Sequence, residues 1–318
     1  MNFTDLNVFD SDDDMDDLLL RRQPKEFDDL EFFKRFRLQK GTVHLLISQI
    51  EERIKAPTLR NKAISPATKV FLALRFYATG SMLITAGDFT GVSKTSACNI
   101  VTQVTDAIAR LRPIYVRFPE TQAEILSTKQ TFYGIARFPY VVGAIDCTHV
   151  RIQSPGGNEA ERYRNRKGYF SWNVQAVCDA RLRFTDIVAR WPGSSHDQTI
   201  FNNSRFKARL QSGHYENSIL LGDGGYGNSN FLLTPLRQPS TAAESLYNES
   251  HIRSRNCIER AFGVWKRRFP VLSLGMRLSQ ERSQAVIVAT TVLHNLAIEE
   301  RDGDPPSEVD DNNALEEN

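Results

Sequence analysis

Residues 140–153, YVVGAIDCTHVRIQ, decide how the second half of the chain is read. Apolar and β-branched residues dominate the run and mark a strand, yet a carboxylate sits in its middle. On a period of two, Val142, Ala144, Asp146 and Thr148 share one face, and Ile145, Cys147 and His149 share the other. A carboxylate inside a buried strand is costly unless it is paired or bound to a metal. Asp146 is therefore either the partner of an arginine or a metal ligand, and the acids that follow favour ligation.

Downstream, 173–179 (NVQAVCD) and 183–191 (RFTDIVARW) read as two more strands separated by polar turns. The segment 194–206 (SSHDQTIFNNSRF) reads as a short helix. A fourth strand lies in 218–227 (SILLGDGGYG) and is ended by its glycines. After a loop rich in Pro, Ser and Thr, 254–269 (SRNCIERAFGVWKRRF) form a helix with Ile258, Phe262 and Trp265 on one face. An apolar helix over 283–300 closes the unit. Three strands, a helix, a strand and then helices make a mixed α/β sheet, assigned to 135–298.

Upstream, from 26 to 134, the pattern is helical. Ser65 and Pro66 suit a helix start, Val70, Leu74, Tyr77 and Ala78 follow at helical spacing, and Gly80 stops it. Next, Ala86 and Phe89 mark a short helix, Gly91 a turn, and Ser93 the cap of a helix running through Ile100, Val104 and Ile108. This pair is either a helix-turn-helix presenting Lys94, Thr95, Ser96 and Asn99 to DNA, or an ordinary packed pair. Residues 1–25 and 299–318 read as acidic disordered tails, poor in large apolar residues.

Charge is segregated along the 318 residues. The first 17 hold seven aspartates and no Lys or Arg, and 299–318 hold nine acids and one base. Residues 18–298 keep 39 basic and 22 acidic side chains, a net of +17. Such a body attracts a polyanion, with DNA the first partner to test. No run of eighteen apolar residues exists, so a membrane span is excluded. The acidic N-terminus is not a secretory signal. Cys98, Cys147, Cys178 and Cys257 lie apart with no CxxC pair, which fits reduced thiols in an intracellular protein rather than a zinc ribbon.

Three more acids fall where this element order brings them near Asp146. Asp223 follows the fourth strand, at the carboxyl end where open α/β sheets collect ligands, although aspartate also suits the turn itself. Asp197 starts the helix after the third strand, where it also complements the helix dipole. Glu259 borders the apolar face of its helix. Phosphodiester cleavage requires charge stabilisation on attacking and leaving oxygens, which two Mg²⁺ or Mn²⁺ ions about 3.5–4 Å apart supply from oxygen ligands. The six scattered histidines do not suggest zinc. His149, on the opposite strand face, reads as support or core, and His196 as a candidate for touching substrate or carrying a proton. Basic side chains crowd the acids: Arg162, Arg164, Arg166 and Lys167 in ERYRNRKGYF, and Arg255, Arg260, Lys266 and Arg267 around Glu259. These are the candidate DNA contacts.

GAIDCTHV, YRNRKGYFSWNVQAVCD, WPGSSHDQTIF, LLGDGGY with TPL downstream, RNCIERAFGVWKRRF and VLHNL occur in that order. Together they resemble the PIF/Harbinger transposases and the nucleases derived from them, over about residues 60–298. The resemblance implies a DDE nuclease domain with a ribonuclease H-like fold, divalent metals and a phosphodiester-cleaving activity, with strand transfer as an extension. It carries the outer acids onto Asp146 and Glu259. The middle acid falls on Asp223, in GDGGY, or on Asp197, in the HD pair, and the ribonuclease H-like sheet favours Asp223. Cys147 stands where many relatives have Gly, and transposase-derived nucleases share the Cys, which points to a domesticated protein. The resemblance also implies a Myb/SANT-like DNA-binding partner that could deliver the protein to the nucleus, with a cytoplasmic pool, and allows a homo-oligomer. A domesticated, non-cleaving DNA- or protein-binding factor is the alternative.

Overall fold

The computed structural model describes residues 27–56, 63–88 and 90–305. The acidic segment 1–25 and Phe89 fall outside the described residues, as do 306–318.

Among the described residues seven helices precede the sheet: α1 (Asp29–Phe36), α2 (Lys40–Ile54), α3 (Pro66–Thr79), α4 (Leu83–Asp88), α5 (Lys94–Ala109), α6 (Arg112–Tyr115) and α7 (Gln122–Ala136). Their ends follow local chemistry. Ser65 Oγ accepts from the Thr68 N–H, Pro66 opens α3, and Gly80 ends it in the left-handed region at φ 60°. Ser93 caps α5 through the Ser96 N–H, and Thr121 and Glu124 form a capping box on α7. Lys94, Thr95 and Asn99 are exposed at the start of α5, while Ala97, Ile100, Val104 and Ile108 are buried. The change of pattern near 135 coincides with the end of α7.

Then come β1 (Val141–Arg151), β2 (Ser171–Cys178), β3 (Phe184–Pro192), α8 (Asp197–Asn202), α9 (Arg205–Gln211), β4 (Ile219–Leu221), β5 (Leu232–Leu233), α10 (Ala242–Arg268), α11 (Val271–Leu274) and α12 (Gln280–Glu299). The sheet order is β3-β2-β1-β4-β5. β1, β2 and β3 are antiparallel neighbours, and β4 and β5 run parallel to β1. This mixed α/β architecture agrees with the sequence reading, with four differences in detail. The single helix expected over 194–206 is two, α8 and α9. The fifth strand was hidden because two residues carry no periodicity. α10 starts at Ala242 rather than near 254, its polar first turns held by a capping box of Thr241 and Glu244. Val142 does not share the face of Ala144. It packs with Ile145 and Val177, because the β1–β4 register shifts between Val141 and Gly143.

The helical half and the sheet half are not separated by a break in packing. One core cluster runs from Phe36 and Leu72 through Val104 and Trp172 to Trp265 and Leu296. α5 packs on α12, and α3 on α11. The boundary near 135 is a change of element type across a shared core. The C-terminal acidic stretch likewise begins inside the fold. Asp302 is 3% exposed and accepts from Thr42 Oγ1 and the Gln39 N–H, and Arg268 donates to the Gly303 carbonyl. Within 299–305, the described part of the expected tail, Asp302 and Pro305 are buried and the others are exposed.

α12 carries the fully buried His294, whose Nε2 lies 2.9 Å from the Leu182 carbonyl. Burial pushes its imidazole down to about 3 from 6.5, with the carbonyl contact working the other way. As pH falls below 6.5 the unfolded chain takes up this proton before the folded one, so stability is lost from pH 6.5 toward about 3. Thermal unfolding should show this cost growing by about 1.4 kcal/mol per pH unit within that window. His294→Gln is expected to narrow its stability deficit against the wild type on acidification. A deficit that stays constant with pH would mean that His294 does not titrate as described.

Candidate active site

Asp146 lies on β1 opposite Ala176 of β2, half-buried, with its side chain toward α10. Its Oδ1 accepts from the Cys147 N–H at 2.7 Å and its Oδ2 from Arg255 Nη1 at 3.2 Å. Burial pushes its carboxyl up to about 7. The charges of Asp223 and, more weakly, Asp197 add to this, while the Cys147 N–H and Arg255 oppose it. Two of the other predicted acids thus act on Asp146.

Asp223 follows β4, and its Oδ1 accepts from the Gly225 N–H at 2.9 Å. Asp197 is the first residue of α8, and its Oδ1 accepts from Asn173 Nδ2 at 2.9 Å. A Cβ placed on Gly225 would stand 3.1 Å from Asp223 Oδ1 and 3.8 Å from Asp197 Oδ2. Both carboxylates face the same small space, which the bare glycine keeps open. Cys147 Sγ lies 3.3 Å from the Tyr226 hydroxyl, and burial raises both groups well above their ordinary ranges. Cys147 is thus a neutral wall of the site.

Glu259 is exposed on α10 and joins the cluster through Arg255, whose Nη2 donates to Glu259 Oε1 at 2.6 Å. Arg255, one of the expected DNA contacts, has a side chain that is 14% exposed and spans two acids. Lys266 is likewise turned inward, donating to Thr148 Oγ1 at 2.7 Å and the His149 carbonyl at 2.9 Å. Burial pushes its ammonium down to about 8, with Lys167 nearby adding to the effect. Arg162 pairs with Glu159, Arg164 with Glu161, and Arg267 with Asp304. Arg166, Lys167 and Arg260 are exposed, and Arg166 Nη2 lies 2.6 Å from His196 Nδ1. His149 contacts Ser171 Oγ through Nδ1 at 3.1 Å.

Sequence reasoning missed Asn173. It is 2% exposed and fixes Asp197 and the Ser195 carbonyl, and its own Oδ1 has no partner. The signal was there, since an amide inside an apolar strand is the same anomaly that singled out Asp146.

Among the described residues no three His, Cys, Asp or Glu side chains are drawn together closely enough to enclose a metal ion. The donor chemistry nevertheless fits a hard divalent cation: all four acids offer oxygen, and Asp146 sits in an excess of negative charge that a cation would relieve.

The family model described as DDE superfamily endonuclease matches residues 145–295, which contain all four acids. The human protein named "Putative nuclease HARBI1" is 37% identical over 260 residues, 81% of this chain and 74% of that one. The chain belongs to the Harbinger-derived DDE endonuclease family. The Xenopus laevis protein of the same name is 30% identical to this Harbinger-derived chain over 260 residues, 81% of it and 75% of the relative. "Protein ALP1-like" of Arabidopsis thaliana is 26% identical over 250 residues, 74% of this chain and 61% of that one. No solved structure matches the Harbinger-derived chain. Among the described residues no helix is long and apolar enough to cross a membrane. Membership makes this a transposase-derived protein of an endonuclease family.

Proposed function

We propose that this protein is a divalent-metal-dependent DNA endonuclease with a ribonuclease H-like core. The observation that carries the reading is the approach of Asp197, at the start of α8, and Asp223, just after β4, to Asp146 in the middle of β1, with Glu259 tied in through Arg255. Three antiparallel strands followed by two parallel ones support the core assignment. In this reading Asp223, which follows β4 at the carboxyl end of a strand beside β1, is the middle acid of the triad.

In this reading Asp146, Asp223 and Glu259 hold Mg²⁺ or Mn²⁺, with Asp197 assisting. When bound, the ions supply charge stabilisation to the attacking and leaving oxygens of a phosphodiester. Asn173 orients Asp197, and Cys147 and Tyr226 close one side without adding charge. Arg166, Lys167 and Arg260, exposed and free of a carboxylate partner among the described contacts, hold the DNA backbone. A nuclear location with a cytoplasmic pool and delivery by a Myb/SANT-like partner accompany this reading.

Plasmid nicking by purified protein in Mn²⁺ and in Mg²⁺ tests the reading. Nicking by the wild type and at least about a hundredfold less by Glu259→Gln are expected if Glu259 holds an ion. A folded wild type that binds DNA and leaves it uncut in both ions would favour a domesticated binding factor instead.

A further inference from the structure

Arg255 is where helix α10 meets strand β1. One guanidinium reaches two carboxylates on different elements: Nη1 is 3.2 Å from Asp146 Oδ2, and Nη2 is 2.6 Å from Glu259 Oε1. Its Nε is buried and has no partner, so the fork is committed to the acids by its two end nitrogens alone. The other cations near the cluster are engaged elsewhere: Lys266 with Thr148 and the His149 carbonyl, and Arg166 with His196. Among the described contacts Arg255 is thus the cation paired with the acids of this cluster, joining Asp146, on which Asp223 and Asp197 also act, to Glu259 one helical turn along.

A planar, permanently charged fork is the side chain best suited to hold two carboxylates at once. The oxygens it holds, Asp146 Oδ2 and Glu259 Oε1, belong to the two outer acids of the DDE set. A divalent cation and Arg255 compete for the same oxygens.

We propose that Arg255 is a resident counter-ion of the ion-free site: it neutralises Asp146 and Glu259 and keeps α10 docked, and it must release at least one of them when a divalent cation binds. The inference rests on the metal-dependent reading above. It makes Arg255 a positioning residue whose release is coupled to ion uptake, and the freed guanidinium is then available to a phosphate oxygen. Ion binding and Arg255 pairing are two sides of one exchange, so each weakens the other.

The test is Mn²⁺ uptake by the full chain, followed by calorimetry and by the electron paramagnetic resonance signal of free Mn²⁺. Arg255→Gln should bind Mn²⁺ about tenfold more tightly than the wild type, since it removes a charge competing at contact distance. Arg253→Gln deletes the same charge from an exposed position on α10, paired with Glu249, and should change affinity less than about twofold. Ion-free Arg255→Gln should melt below the wild type and gain more from Mn²⁺ than the wild type does. A merely structural role predicts the opposite sign, a loosened site with weaker Mn²⁺ binding. Equal or weaker binding in Arg255→Gln, or equal tightening in Arg253→Gln, would overturn the exchange. If Arg255→Gln does not fold, Arg255→Lys, a single point charge in place of a fork, should still tighten binding, and failure to do so would also overturn it. Absence of Mn²⁺ uptake by both the wild type and the Arg255 variant would instead remove the metal-dependent reading itself.

Discussion

Asp146→Asn is expected to lower DNA cleavage by at least about a thousandfold while leaving DNA affinity unchanged, the scale associated with removing a carboxylate that holds a catalytic ion. The substitution keeps the size and one oxygen of the side chain, so β1 and its pairing with β2 are undisturbed. What it removes is the charge at the centre of the cluster, between the Cys147 N–H, Arg255 and the neighbouring Asp223 and Asp197. The exposed cations Arg166, Lys167 and Arg260 remain, and salt-dependent binding with them. A second consequence concerns stability. The Asp146 carboxyl, desolvated and facing two like charges, costs stability in its charged form, while the amide oxygen of Asn can still accept from Arg255, so the ion-free variant should be more stable than the wild type by about 1–2 kcal/mol. Nicking at the wild-type rate would remove Asp146 from the active site, and a lower melting temperature would mean that the lost charge pairing with Arg255 outweighs the relieved desolvation.

Asn295→Ala is expected to be the most damaging single change outside the acid cluster. Asn295, in the VLHNL stretch of α12, is 1% exposed and satisfies three backbone groups on other elements. Its Oδ1 accepts from the Phe184 N–H at 2.8 Å, and its Nδ2 donates to the Phe184 carbonyl at 2.7 Å and the Tyr115 carbonyl at 2.8 Å. One amide thereby pins α12 to the first residue of β3 and to the last residue of α6. Truncation strands a donor and two acceptors where water has little access, at about 1–3 kcal/mol for each group left unsatisfied. Denaturant unfolding should show a loss of about 3–5 kcal/mol, a large share of the stability of an ordinary domain. Asn295→Asp, which keeps the acceptor but sets a carboxylate against two carbonyls, should not rescue it. A loss below about 1 kcal/mol would mean that water fills the space and satisfies all three groups.

The amino-acid sequence by itself determined everything that depends on neighbours a few residues apart. Ser65, Pro66 and Gly80 bound α3 through hydrogen bonds and backbone preferences within one turn. The β-branched runs mark β1 to β3, and Asp146 stands out as a charge where only apolar residues are cheap. Asp223 and Asp197 are legible as residues at element ends, and the ordered motifs point to the Harbinger-derived family. Other features are weakly marked or unmarked. Two residues of β5 carry no period, and the start of α10 shows only its Thr241–Glu244 capping box, with no apolar stripe in the polar turns that follow. The register shift beside Gly143, which turns Val142 away from Ala144, follows from how β4 lies against β1. Only the tertiary structure decided which charges meet. Arg255 and Asp146 are 109 residues apart, and Lys266 and Thr148 are 118 apart. Whether a basic side chain on α10 reaches solvent or turns onto an acid is set by how that helix docks on β1. The sequence showed a crowd of arginines around four acids, and packing selected the one that lies among them, because charge pairing in a fold depends on distances that no spacing along the chain records.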